Sequence, residues 1–322
     1  MLSFLFLASL WFILCKHLSG EWSVNEQYNY GWFVPFFALY LFWLRWQDRP
    51  PPEIPNLKSQ IRNNRTVAAL IGVPALLLLL PIRLFEIGTP EWRPLGWIHT
   101  ASVATLTLLY IWSAGGKQWI RHFAFPIAFF FVAVPWVTPI EVPIIQGLMR
   151  VVAAVAAETV TLFGIPTQLE GNLIRVSSGL IGVNEACSGV RSLQTALMIG
   201  LLFGKLTRLS ILRRLVLVAG AMAIALTANF CRAVFLVWIA ATENISEVNR
   251  WHNLAGYTIV GLVFVGTLLL AALLGRKETE VSGQTSEHQT SNIKYRITFI
   301  VPNSCLLSAL CWIVAVELGA HL

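Results

Sequence analysis

A cysteine, an arginine and a histidine stand out because each is embedded among residues that otherwise avoid water. Cys187 lies in Val183-Asn-Glu-Ala-Cys-Ser-Gly-Val-Arg-Ser192, at the head of an apolar run. Arg232 closes Ala228-Asn-Phe-Cys-Arg232 inside another, and His252 sits in Trp251-His-Asn253 where a third begins. Polar and ionisable groups are expensive in hydrocarbon and normally mark function when they recur there. The three types also form a chemical set: a thiol nucleophile, a permanent cation suited to an oxyanion, and a base. Asn184, Glu185, Ser188 and Arg191 flank the cysteine, and Asn229 lies one helical turn before Arg232, so these are supporting candidates.

The elements that must position these residues are membrane spans. Of 322 residues, 56% are hydrophobic, 12% are charged and 13 are tryptophan, which excludes an ordinary soluble domain. Apolar runs of about 20 residues, the length needed to cross a bilayer, fall near 2–18, 28–46, 66–85, 96–114, 118–137, 190–207, 214–240, 254–274 and 297–318. The expected fold is therefore an all-α polytopic integral membrane protein with eight or nine transmembrane helices. Lys16 follows the first run instead of preceding it, and no small-residue cleavage site is evident, so that run reads as an uncleaved span. The net charge of +7 is dispersed in short loops, which argues against nucleic acid as a partner.

Those loops set an orientation. Arg45, Arg49, Lys58, Arg62 and Arg65 share one loop, Lys117 and Arg121 a second, Lys205, Arg208, Arg213 and Arg214 a third, and Arg276, Lys277, Lys294 and Arg296 a fourth. Alternating spans put all four on one side, the cytoplasmic side by the positive-inside rule. The opposite loops are expected to carry the acids Glu21, Glu26, Glu86, Glu91, Glu141, Glu158, Glu170, Glu185, Glu243 and Glu247. Cys187 is 18 positions from Lys205, and Arg232 is 18 from Arg214. Either interval is about 27 Å of helix, one hydrocarbon thickness. With His252 ahead of its span, all three residues are expected at the outer interface.

Residues 138–186 are expected to stay outside. Pro143 to Phe163 reads as a helix lying on or dipping into the interface. Gln168 to Glu170 and Leu173 to Val176, around Gly171-Asn172, read as a small extracytoplasmic β-hairpin ahead of the cysteine, able to pin the nucleophile or accept an extended peptide by strand addition. Ser177-Ser178-Gly179 breaks it before Leu180 to Val183. The Pro-rich stretch Asp48 to Arg65 reads as a stiff cytoplasmic connector. The chain is accordingly divided into a catalytic domain 1–275 with core 30–275, a polar cytoplasmic linker 276–296 and a C-terminal transmembrane appendage 297–322.

Each residue also has a plainer reading. Cys15, Cys231, Cys305 and Cys311 read as small hydrophobes. Arg232 alone is compatible with interfacial snorkelling, His252 beside Trp251 with an aromatic belt, and Ser188 with a cap hydroxyl as well as a rival nucleophile. What separates Cys187 is its polar setting at a helix N-terminus, where free amides favour a thiolate. No CxxC pair or Cys/His metal spacing occurs, so neither a metal nor another cofactor is expected.

Taken in order, Asn184-Glu-Ala-Cys187-Ser-Gly-Val-Arg191-Ser, Ala228-Asn-Phe-Cys-Arg232, and His252 before a Gly-containing apolar helix resemble the exosortase/archaeosortase family over roughly residues 30–275. The resemblance implies a polytopic cysteine transpeptidase-like enzyme with catalytic Cys187, Arg232 and His252. It further implies, as partners, exported proteins whose C-terminal tail holds a short motif such as Pro-Glu-Pro, a membrane span and a basic end. The tail would be cut at the extracytoplasmic face of the cytoplasmic (inner) membrane, among membrane lipids, and the protein passed to an acceptor such as a surface polysaccharide or lipid. The alternative is a transporter or flippase for a lipid-linked sugar in exopolysaccharide export, with Arg232 and His252 on a phosphate. A transporter should have repeated halves, and the sequence has no internal symmetry. A CAAX-type metalloprotease would need paired glutamates and histidines, which are absent.

Overall fold

A backbone in hydrocarbon has to satisfy its own N–H and C=O groups, and helices do this within a single segment. The computed structural model describes residues 2–52, 58–183, 187–243 and 245–279, and apolar runs become helices throughout. Among the described residues, five stretches are helical, long and apolar enough to cross a membrane: Thr66–Gly88, Pro94–Ala133, Thr138–Leu162, Ile211–Thr242 and Arg250–Gly275. The expected ninth span, 297–318, lies outside the described residues. The chain divides into two packed units, whose described parts are residues 2–137 and 138–279.

The first unit contains α1 (Leu2–Val24), a 3-10 segment (Glu26–Phe33), α2 (Val34–Gln47), α3 (Lys58–Leu77), α4 (Leu79–Gly88) and α5 (Pro94–Phe129). Two spans are expected over 96–114 and 118–137; they form one helical stretch broken at Gly116, where φ is 77° and ψ is −163°. Only glycine adopts that conformation readily. On α1, Leu10, Leu14 and Leu18 recur every fourth residue and are all buried, as a helix with one packed face requires.

Glu86 is not in an external loop as its charge suggests. It lies in α4, 2% exposed. Arg83 donates to its Oε2 at 2.5 Å, His99 Nδ1 lies 2.8 Å from its Oε1 and His17 Nε2 lies 3.2 Å from the same oxygen. A carboxylate only accepts, so both imidazoles donate to it. The cluster ties α1, α4 and α5 together through one saturated anion, which is how a charge is tolerated in an apolar interior.

The second unit is α6 (Thr138–Leu162), three strands, then α7 (Val190–Leu206), α8 (Ile211–Thr242) and α9 (Ile245–Thr279). Helix α6 begins five residues before Pro143, and Glu141 and Glu158, expected in loops, lie within it. It is long and apolar enough to cross a bilayer, whereas the sequence suggests a segment resting at the interface. Its Val152, Ala153, Ala156, Ala157 and Val160 form a buried core with Ala233, Val237 and Ala240 of α8. In place of a two-stranded hairpin there is a three-stranded antiparallel sheet: β1 (Gln168–Glu170), β2 (Leu173–Val176) and β3 (Gly179–Gly182), in that order. Helices α7, α8 and α9 pack on one another through small residues. A Cβ on Gly200 would stand 3.1 Å from the Val218 Cα, so glycine lets the α7 and α8 backbones approach closely.

Removing the anion of the first unit strands a buried guanidinium. Glu86→Ala is expected to cost about 3–5 kcal/mol, the usual effect of deleting one partner of a buried pair, read as an earlier unfolding transition of the detergent-solubilised protein. Unfolding at the wild-type temperature would make the cluster dispensable.

Candidate active site

The second unit carries the site at one end of α7, α8 and α9. The basic residues cluster at the other end. There Arg214 donates from Nε to Gly204 O at 3.3 Å and from Nη2 to Leu209 O at 3.1 Å, and Arg213 donates to Leu274 O at 3.4 Å. Cations at carbonyl-rich helix ends satisfy orphan acceptors and suit the helix dipole.

Cys187 precedes the α7 N-cap, Gly189, by two residues. Gly189 has φ 86° and ψ 0°, a left-handed conformation that glycine adopts without Cβ strain. The turn brings the Cys187 backbone onto α8, where the Asn229 side chain donates from Nδ2 to Cys187 O at 3.0 Å. Asn229 is 1% exposed and leaves no space above Gly189: a Cβ there would stand 2.6 Å from Asn229 Nδ2. Ser188 is fully buried, and its Oγ accepts from Val190 N at 3.4 Å, a cap-like contact.

Arg232 is one turn beyond Asn229 on α8. Its Nη2 lies 2.9 Å from His252 Nε2 and 3.4 Å from His252 O. His252 lies two turns inside α9, not ahead of its helix, because α9 starts at Ile245. Trp251 beside it stacks edge-on against Phe235 of α8, ring centroids 5.7 Å apart. Gly256, one turn after His252, lies under the guanidinium, with its virtual Cβ 3.8 Å from Arg232 Nη2. Cys187 Sγ stands 3.5 Å from the same His252 Nε2. Two side chains from other helices or turns, 65 and 20 positions away in sequence, thus converge on one imidazole nitrogen.

That convergence constrains protonation. Arginine can only donate, so Nε2 must present its lone pair to Nη2, and the imidazole proton is assigned to Nδ1. The thiol makes a second approach to the same lone pair. Arg191 is exposed, with its guanidinium within electrostatic range of Arg232. Asn184 and Glu185 lie outside the described residues. Cys231 is exposed although it is adjacent to Arg232. Cys305 and Cys311 also lie outside the described residues.

The sheet is fastened to the same helix. Ser177 donates to Ala241 O at 3.2 Å and Ser178 donates to Ala240 O, both among the last carbonyls of α8. Asn172 donates from Nδ2 to Val183 O at 3.0 Å, and Val183 N donates to Asn172 O at 2.9 Å. Sequence reading identifies Asn172, Ser177 and Ser178 only as turn residues. The tie of the two serines to α8 and the pairing of Asn172 with Val183 depend on contacts that no local pattern encodes.

A family model described as transmembrane exosortase matches residues 22–269. The chain belongs to that family and is a multi-pass membrane protein. The matched segment contains Cys187, Arg232 and His252. No curated protein and no solved structure matches the chain.

Gly189→Ala is expected to destabilise the protein by at least the roughly 1–2 kcal/mol of a left-handed residue with a Cβ, because the new methyl also meets Asn229. Asn229→Ala should relieve that clash, so the double variant should lose less than the sum of the two singles. Thermal unfolding of the four proteins measures this. Additive losses would show that Gly189 and Asn229 do not share this space.

Proposed function

We infer that this member of the transmembrane exosortase family is a membrane-embedded cysteine peptidase or transpeptidase. It cuts C-terminal sorting tails from exported proteins at the outer face of the cytoplasmic membrane, using eight or nine spans and a catalytic domain over residues 1–275. The observation that carries this reading is the convergence of Cys187 Sγ at 3.5 Å and Arg232 Nη2 at 2.9 Å on His252 Nε2. Catalytic contacts are commonly this loose before substrate binds. The outer face is supported by the basic residues at the opposite end of α7–α9, which the positive-inside rule assigns to the cytoplasm.

Each step follows from the groups. His252 Nε2 takes the Cys187 proton, and the thiolate attacks the carbonyl carbon of the scissile peptide, forming a C–S bond. Once Nε2 is protonated it no longer accepts from Arg232, and the guanidinium turns its N–H groups to the oxygen that gains charge. Collapse of the tetrahedral intermediate breaks the C–N bond, and His252 returns the proton to the leaving amine. The thioester then passes to an amine of an acceptor, or to water. Asn229 holds the backbone of Cys187 and so positions the nucleophile.

The roles separate by substitution. Cys187→Ala should abolish cleavage of a reporter whose tail carries Pro-Glu-Pro, a membrane span and a basic end, while Cys231→Ala, on the exposed side of α8, should cleave normally. Arg232→Lys keeps a charge but loses the paired donors, and should slow cleavage by about 10²–10³, the usual cost of one oxyanion donor. His252→Gln should bind the reporter yet fail to release product. Reporter cleavage in membranes reads all four. Near-normal cleavage by Cys187→Ala would remove the cysteine mechanism, and by Arg232→Lys the oxyanion role.

A further inference from the structure

Among the described residues, strand β3 leaves one backbone edge open directly upstream of the nucleophile, and its register identifies which groups face outward. The pairs are Val176 with Gly179, Arg175 with Leu180, Ile174 with Ile181 and Leu173 with Gly182. The two-residue turn Ser177-Ser178 closes on a hydrogen-bonded pair, Val176 and Gly179, and such pairs alternate along an antiparallel ladder. Ile181 with Ile174 is the next, followed by Val183 with Asn172, where Val183 N donates to Asn172 O at 2.9 Å. Leu180 and Gly182 therefore turn their N–H and C=O groups away from β2. Both are exposed, Leu180 at 45%.

Open edges are normally guarded by charge, proline or a bulge, because unpaired backbone recruits another strand. β3, Gly-Leu-Ile-Gly, has no charged residue and no proline, whereas the other edge strand, β1, ends in Glu170, paired with Arg175 at 3.4 Å. The open edge is also rigidly placed, since Ser177 and Ser178 bond the β2–β3 turn to the end of α8. Gly182 is five positions before Cys187. At about 3.3 Å per residue, a strand paired along Leu180 and Gly182 reaches the thiol within a few residues. Arg232 and His252 beside that thiol carry positive charge or none, and the exposed Arg191 lies within electrostatic range of Arg232, a field complementary to an acidic side chain in the incoming segment.

We propose that the edge of β3 captures the extended segment of the tail next to the scissile bond as a fourth strand, through the backbone groups of Leu180 and Gly182. This rests on the cysteine peptidase reading and adds the binding register. Recognition is then largely of backbone, with selectivity supplied by side chains on alternate residues and by an acidic group facing Arg191 and Arg232. A Pro-x-Pro segment can join such an edge, because both prolines point away from it while the middle residue offers its N–H and C=O.

The test uses proline at two matched positions. Leu180→Pro deletes an N–H aimed outward from β3 and leaves the β2–β3 ladder intact. Leu169→Pro deletes the corresponding outward N–H of β1. In full-length protein whose cysteines other than Cys187 are replaced by serine, Leu180→Pro should cleave the Pro-Glu-Pro reporter about tenfold more slowly at low reporter concentration, the scale of one or two lost hydrogen bonds. Its Cys187 should still react with maleimide at the wild-type rate, and Leu169→Pro should cleave normally. Wild-type cleavage by Leu180→Pro, or an equal loss in Leu169→Pro, overturns the proposal. Should Leu180→Pro fail to accumulate, a photoreactive benzophenone side chain at 180 or at 169 in the Cys187→Ala protein decides instead. Capture of the reporter from 180 above that from 169 supports the edge, and equal or no capture overturns it. Cleavage by Cys187→Ala would instead overturn the cysteine reading on which the proposal rests.

Discussion

One nitrogen lone pair organises this site. His252 Nε2 accepts from Arg232 at 2.9 Å and is approached by Cys187 Sγ at 3.5 Å, and a single lone pair cannot serve both fully. In the resting arrangement the arginine holds the nitrogen, so the thiol is not yet paired with an imidazolium. Transfer of the thiol proton to Nε2 forces the guanidinium off it. In the proposed mechanism the group released is the one needed at the developing oxyanion, so activation of the nucleophile and stabilisation of the intermediate become one rearrangement.

This arrangement depends on helices meeting to within a hydrogen bond in a medium where apolar burial gives them little driving force. Close packing has to provide it. Gly200 brings α7 against α8, and Phe235 and Trp251 set α8 against α9 close to the site. Gly189 admits Asn229, which holds the Cys187 carbonyl. The sheet is locked to the last carbonyls of α8 by two serines. Cys187 is thus held from its own turn and from α8, so its reach to His252 does not rest on a single loop.

Much of this was legible in the sequence, for physical reasons. Cys187, Arg232 and His252 stand out because polar groups in apolar runs are expensive and need a purpose, and counting residues to the basic loops puts Cys187 and Arg232 at one level. His252, expected ahead of its helix, lies instead two turns inside α9. Where the reading fell short, the determinant was tertiary. Glu86 looks like a loop acid because its partners Arg83, His99 and His17 come from three helices. Helix α6 looks interfacial because Arg150 and Glu158 interrupt it, yet its alanine face is buried on α8. The third strand, Gly179 to Gly182, is too short and glycine-rich to carry a strand pattern, and it exists because β2 and the α8 carbonyls hold it. Asn184 and Glu185, chosen for their nearness to the thiol, fall outside the described residues.

The central claim is that Cys187 becomes covalently bonded to substrate. Its most direct measurement is mass spectrometry of the enzyme quenched in acid during turnover of the Pro-Glu-Pro reporter. The account predicts an adduct on the peptide containing Cys187, equal in mass to the substrate fragment upstream of the cut less one water, removed by neutral hydroxylamine as a thioester is. An adduct on a different residue, or ongoing cleavage by a protein that lacks the Cys187 thiol, would contradict it.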